Sequence, residues 1–205
     1  MRLMTRSALI ASAAVTLIAG GVTAQAVMTQ NPAEVRAGTY KLDSAHGKIT
    51  YSINHLGFST YRSQFSGVEA SLTLDPANPS ASTLTASVPV SGHDDTSAGL
   101  KTHLMSADFF DAEQFPTISF EATSIVVDDD DANEAEVTGN LTFHGVTRPV
   151  TMDVEFNQAG EMRGTYRVGF DGEMTIKRSE FGMSYGLPAI GDEVEIHIEG
   201  EFVSG

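Results

Sequence analysis

"LTFHGVTRPVTMDVEF", residues 141–156, reads as two alternating segments joined by a turn. Leu141 and Phe143 occupy one phase of the first segment. In the second, Val150, Met152, Val154 and Phe156 alternate with Thr151, Asp153 and Glu155. A period of two marks a strand with one buried face. Between them, His144 through Pro149 has the residues of a tight hairpin. Gly145 supplies backbone freedom, and Pro149 sits at a strand start, where its missing N–H is tolerated. Strands joined this briefly must run antiparallel. His144 therefore reads as a hydrogen-bonding turn residue rather than a ligand.

The same period extends outward in both directions. Ile49, Tyr51, Ile53 and His55 share a face opposite Thr50, Ser52 and Asn54, and Val68, Ala70, Leu72 and Leu74 lead to a turn at Asp75-Pro76. Near the end, Val194, Ile196, Ile198, Gly200 and Phe202 alternate with Glu193, Glu195, His197, Glu199 and Glu201. Ile118, Phe120 and Ala122 are out of phase with Ile125 and Val127, which predicts a bulge near Thr123-Ser124. The run Asp128 to Asp131 fits a solvated hairpin tip; a calcium loop would space its ligands around a glycine. One region departs from the strand period. Across residues 94–116, Leu100, His103 and Leu104 fall at helical spacing, with Asp95 or Thr96 as the cap. Ser106 could cap a further short turn carrying Phe109 and Phe110. About eight strands with a single apolar face close most economically into an antiparallel barrel, which leaves no exposed edges. The expected fold class is therefore all-β, an eight-stranded antiparallel barrel with a short helical insertion.

Length and charge set the remaining bounds. The chain has 205 residues, enough for one domain with a sizeable core. Arg2 and Arg6, the apolar run Ala8 to Ala19 and the small-residue motif Ala24-Gln25-Ala26 have the order of a secretory leader. The run is short of the roughly 20 residues that span a bilayer. Residues 1–26 therefore read as a cleaved signal peptide, residues 27–37 as a flexible aperiodic segment, and residues 38–205 as the barrel domain. With no cysteine, an exported domain must hold together by burial alone. The leader takes two of the twelve Lys+Arg and none of the 27 Asp+Glu, leaving a charge of about −17. Such a surface repels nucleic acid and anionic headgroups and predicts a soluble mature protein.

Three chemistries can be weighed against the residues. "GMSYG", residues 182–186, fits Gly-x-Ser-x-Gly, and Asp192 and His197 follow Ser184 in hydrolase order. An elbow, however, needs a strand before the serine and a helix after it; here a loop leads to a strand. The histidines at 46, 55, 93, 103, 144 and 197 show no zinc-protease spacing. His93-Asp94-Asp95 is the best local metal candidate, and His46, His55 and His103 could meet in space. More informative is that His55 and His103 lie in apolar phases, flanked by Phe58, Phe65, Phe109, Phe110, Phe115 and Phe181. That interior fits a cavity for an apolar ligand with a polar head. It fits equally a packed barrel with satisfied histidines.

Four stretches taken together carry a resemblance. "LDSAHGKITYSINHLGFSTYRSQFSGVEASL" (42–72), "HLMSADFFDAEQFPTISFEAT" (103–123), "GNLTFHGVTRPVTMDV" (139–154), and "KRSEFGMSYG" (177–186) followed by "GDEVEIHIEGE" (191–201) resemble the YceI-like polyisoprenoid-binding family. The resemblance implies a lipocalin-like barrel around an elongated apolar cavity. It implies as ligand a polyisoprenoid, such as an isoprenoid quinone or polyprenyl phosphate, or a fatty-acid-like lipid, and location in the periplasm. The candidate ligand-binding set is Ile53, His55, Phe58, Phe65, Leu100, His103, Leu104, Phe109, Phe110, Phe143, Arg178 and Phe181. Leu100 stands where members often carry a basic residue, which tilts the expectation toward a less charged ligand. No catalytic residue, metal or cofactor is expected beyond the bound lipid. The expected partner is that lipid, with no nucleic acid; transient contact with a membrane or membrane protein and a dimeric state stay open. The alternatives are a periplasmic hydrolase using Ser184 and a packed structural or stress-response barrel without ligand.

Overall fold

The computed structural model describes residues 28–205. The leader expected over residues 1–26 lies outside them. Among the described residues the alternating segments form eleven strands: β1 (Met28–Thr29), β2 (Gly38–Leu42), β3 (Lys48–His55), β4 (Ser59–Phe65), β5 (Glu69–Leu74), β6 (Thr83–Pro89), β7 (Thr117–Val127), β8 (Glu134–Phe143), β9 (Val146–Met162), β10 (Thr165–Lys177) and β11 (Ile190–Ser204). One α-helix, α1 (Ala98–Leu104), joins β6 to β7. Eight of the strands close a ring in the order β2-β5-β6-β7-β8-β9-β10-β11 and back to β2, with every pairing antiparallel. This is a closed lipocalin-like barrel. No helix among the described residues is long and apolar enough to cross a membrane.

The β3–β4 hairpin widens the ring at one end. β11 pairs with β3 over its first part and with β2 only at Phe202–Ser204, so the hairpin occupies the edge that β2 leaves free. The outer edge of β4 is covered in turn by the segment before α1. Ser66 N donates to Gly92 O at 2.9 Å, Asp94 N to Gln64 O at 2.9 Å, and Phe65 bridges to His93. The buried apolar residues fall into two clusters. One holds Phe65, Val88, Leu104, Phe110, Phe143 and Phe181; the other holds Tyr40, Leu72, Phe156, Tyr166, Val168 and Phe202.

The sequence expectations meet the structure element by element. The β7 register shifts between Ala122 and Ser124, so Thr123 is the expected bulge residue. Asp128 Oδ1 accepts from Asp130 N and Asp131 N at 2.7 and 3.1 Å, which makes the acidic run the tip of the β7–β8 turn. The opening hairpin is tighter than expected. His144 and Gly145 alone form it, with φ of 50° and 72°, and Phe143 pairs with Val146. Pro149 lies inside β9 opposite Asn140, on a stretch where β10 no longer pairs, and proline is tolerated on such a free edge.

Helix α1 is capped by Ser97, whose Oγ accepts from Leu100 N at 3.3 Å. Neither expected cap, Asp95 or Thr96, holds that position; Asp95 is bonded instead to His93, two residues before it. The segment expected to be flexible, residues 27–37, also differs over its described part. Met28 and Thr29 pair with Gly160 and Ala159, Pro32–Glu34 form a 3₁₀ turn, and Val35 is buried against the second cluster.

Candidate ligand-binding site

The inward phases of the strands do not meet across the barrel. They leave a cavity of about 980 Å³, near the upper end of the ~300–1,000 Å³ range of small-molecule sites. Its walls draw on both core clusters, from Phe65, Phe110 and Phe143 to Leu72, Phe156 and Phe202. Small residues open the space. Ala70 on β5 stands directly opposite Ala86 on β6, which stands opposite Phe120 on β7, and all three line the cavity. A barrel packed with its own side chains would fill that volume.

Ten of the twelve candidate residues line this cavity: Ile53, His55, Phe65, Leu100, His103, Leu104, Phe109, Phe110, Phe143 and Arg178. Two do not. Phe58 is 91% exposed, because the chain leaves the strand period at His55 and enters the β3–β4 turn. Phe181 is buried behind the wall, its ring 5.6 Å from that of Phe143, because the 3₁₀ turn Arg178–Phe181 directs it into the core. Arg178 reaches the wall with its charge already engaged. Nε, Nη1 and Nη2 donate to the carbonyls of Gly191, Met183 and Ile190 at 2.7, 3.0 and 3.0 Å. It thereby pins the loop that carries Tyr185 into place.

Polar groups at the cavity are few. His55, Leu56 and Tyr185 line it and are exposed, which marks one place where the cavity meets solvent; Asn31, Ala33 and Ala132 line it and are exposed at the other end. His103 stacks edge-on against Phe109 and Tyr185, with centroids at 4.9 and 5.3 Å, while its Nε2 lies 3.2 Å from Asp108 Oδ2. The other polar feature is a buried chain. Tyr51 Oη is 2.7 Å from His93 Nε2, and His93 Nδ1 is 2.9 Å from Asp95 Oδ1. Asp95 accepts the Nδ1 proton, leaving Nε2 to accept from the Tyr51 hydroxyl. Burial pushes the His93 pKa down and the Tyr51 pKa up, so both stay neutral. His93, a metal candidate in the sequence, is thus a linker between strand and loop. Among the described residues no group of three or more His, Cys, Asp or Glu side chains converges.

The hydrolase residues are apart. Asp192 accepts from Ser179 N and Oγ at 2.9 and 2.7 Å, His197 Nδ1 faces Glu173 Oε1 at 3.0 Å, and Ser184 lies in a loop followed by a strand. No Ser–His–Asp relay joins them.

Residues 40–202 match the family model of the YceI-like domain. This chain belongs to the YceI-like family. Its relatives include a UPF0312 protein of Pseudomonas aeruginosa, 36% identical over 80% of this chain and 85% of that one. The Salmonella arizonae protein YceI is 34% identical over 82% and 87%. Among solved structures, BcnA of Burkholderia cenocepacia superposes with a TM-score of 0.68 at 25% identity, covering 80% of this chain and 99% of its own. A polyisoprenoid binding domain from Saccharophagus degradans shares the fold, with a TM-score of 0.60 at 10% identity over 83% of this chain and all of its own. Within this YceI-like barrel, sequence reasoning overlooked Tyr185, read only as part of a nucleophile motif, and the facing alanines. The alanines did carry a signal, since both are small residues in an inward phase.

Proposed function

We propose that this YceI-like barrel is an exported, non-enzymatic carrier holding one long apolar lipid in its cavity: a polyisoprenoid, an isoprenoid quinone or a fatty-acid-like chain. The observation that carries this reading is the 980 Å³ apolar cavity. An interior neither filled by side chains nor lined with catalytic groups is suited to an apolar occupant. Burial supplies the affinity, at about 0.8 kcal/mol per CH₂. Ten such groups contribute about 8 kcal/mol, the order of a micromolar Kd before ordering costs. His55 and His103, at the exposed part of the wall, are the head-group partners. The leader-like residues 1–26 support export to the periplasm. The fold shared with a polyisoprenoid binding domain is compatible with a ligand of that class.

The test is displacement of a lipophilic fluorescent dye by isoprenoid and acyl lipids. Ala86→Phe, which puts a ring into the cavity where Ala86 faces Ala70, should weaken dye binding about tenfold or more while far-UV circular dichroism stays native. Ser184→Ala should leave binding unchanged. A wild-type protein that takes up no dye and no lipid contradicts the proposal.

A further inference from the structure

Three hairpin turns of the barrel contain an X–Gly pair with both residues left-handed: Leu56-Gly57 (φ 59° and 73°), His144-Gly145 (50° and 72°) and Arg163-Gly164 (55° and 81°). Left-handed backbone disfavours side chains in general and tolerates Asn or Asp best. Two of the turns carry a polar residue at the strained position. The third carries leucine, followed after the glycine by a phenylalanine. Leu56 is 48% exposed and Phe58 is 91% exposed, so this turn accepts backbone strain in order to show apolar side chains to solvent. Departures from local preference of this kind concentrate at functional sites.

Its position gives the departure a purpose. Leu56 also lines the cavity, so the turn brings apolar surface to the edge of that space. Leu56 N donates to Ala189 O at 2.9 Å, and His55 pairs with Ile190, which fixes the turn against the loop bearing Tyr185. Tyr185 is itself 46% exposed, an aromatic ring with a polar tip. Residues 53–61 and 181–191 contain no Asp, Glu, Lys or Arg, in a chain of net charge −15. The tip of the turn and the facing loop therefore present an apolar platform free of charged side chains of their own, at one place where the cavity reaches solvent; the carboxylate at its edge is Asp108, held by His103.

We propose that this platform is a membrane-contact surface: Leu56 and Phe58 enter a zwitterionic lipid bilayer and set the cavity opening against it, so that the lipid passes between bilayer and barrel without crossing water. The proposal rests on the carrier reading. The uncharged platform fits a neutral lipid surface, whereas the acidic remainder of the barrel is repelled by an anionic one.

The chain has no tryptophan, so Phe58→Trp places a single fluorescent reporter at the tip. With the purified protein, its N-terminus read by intact mass, phosphatidylcholine vesicles should shift the emission of this lone indole to the blue. The pair Leu56→Asn and Phe58→Ser should lower vesicle partition, read by flotation, about tenfold or more, the order expected for withdrawing two apolar side chains. The same pair should slow lipid transfer between vesicles in proportion. Asn suits the left-handed position, so the melting temperature should not fall. An emission unmoved by vesicles, or a double variant that partitions within twofold of the wild type, overturns the proposal. So does a blue shift that grows with protein concentration in the absence of vesicles, which assigns the tip to a second copy. Lipid extracted from the same preparations keeps the readings apart: a loaded barrel that ignores vesicles overturns the tip alone.

Discussion

Arg178 is 2% exposed, a guanidinium set in the wall of an apolar cavity and held by three backbone carbonyls rather than by a hydrogen-bonded carboxylate. Burial lowers its pKa, and the field of Asp192 opposes that shift. Replacing it by methionine would keep the volume but orphan the carbonyls of Met183, Ile190 and Gly191. Each unsatisfied buried group costs roughly 1–3 kcal/mol, so Arg178→Met should lose about 3 kcal/mol or more in urea unfolding. A loss under about 1 kcal/mol would show that water replaces the guanidinium. His93 makes a prediction about pH. Its pKa is depressed in the fold, so at acidic pH the unfolded chain binds the proton that the folded chain refuses. The stability it contributes is full above the unfolded value near 6.5 and is lost as pH falls below it. Unfolding free energy should therefore drop between about pH 7 and pH 5, and His93→Gln should flatten that slope. An unchanged slope in the variant would assign the dependence elsewhere.

At the scale of elements, alternation is readable because one face of each strand is buried and the other wet. Val150 to Phe156, Val194 to Phe202 and the bulge at Thr123 all follow from a period of two. Local rules fail where a partner distant in sequence decides the outcome. Tyr51 and His93 are 42 residues apart, and nothing in either segment announces their bond. The cap of α1 falls to Ser97 because that same network takes Asp95. Aromatic neighbours in the sequence point Phe58 at the cavity, and the turn reverses its direction. Residues 28–37 lack periodicity because they dock on the barrel through a two-residue strand and a single 3₁₀ turn. Strand contact also sets a test at Gly139 on β8. A Cβ there would stand 2.3 Å from Phe120 Cζ and 2.6 Å from Glu121 O. Gly139→Ala should therefore destabilise by about 1–3 kcal/mol, read by thermal unfolding. A neutral result would mean that the Phe120 ring and the β7 backbone at Glu121 both give way at no cost.

Across the whole molecule, the outer wall carries its charge in rows. In register, Glu134 faces Glu155, Glu155 faces Asp171, and Asp171 faces Glu199; beside them Glu136 faces Asp153 and Asp153 faces Glu173. Like charges directly opposed on a sheet destabilise it. The barrel should accordingly melt higher as ionic strength rises from about 10 to 500 mM, where the Debye length falls well below 10 Å. Glu155→Gln, which relieves two of these pairs, should stabilise at low salt by roughly 0.5 kcal/mol and reduce the salt effect. A melting temperature indifferent to salt would mean that the rows are screened by bound cations. The acidic wall is suited to water, which sets it apart from the apolar turn at Leu56 and Phe58.

The central claim is that the cavity holds a lipid, and organic extraction of the purified protein followed by mass spectrometry tests it most directly, with native mass spectrometry for stoichiometry. The account predicts one isoprenoid or acyl lipid per barrel, released by solvent and depleted in Ala86→Phe. A clean apo mass that persists after incubation with quinones and polyprenyl lipids would contradict it.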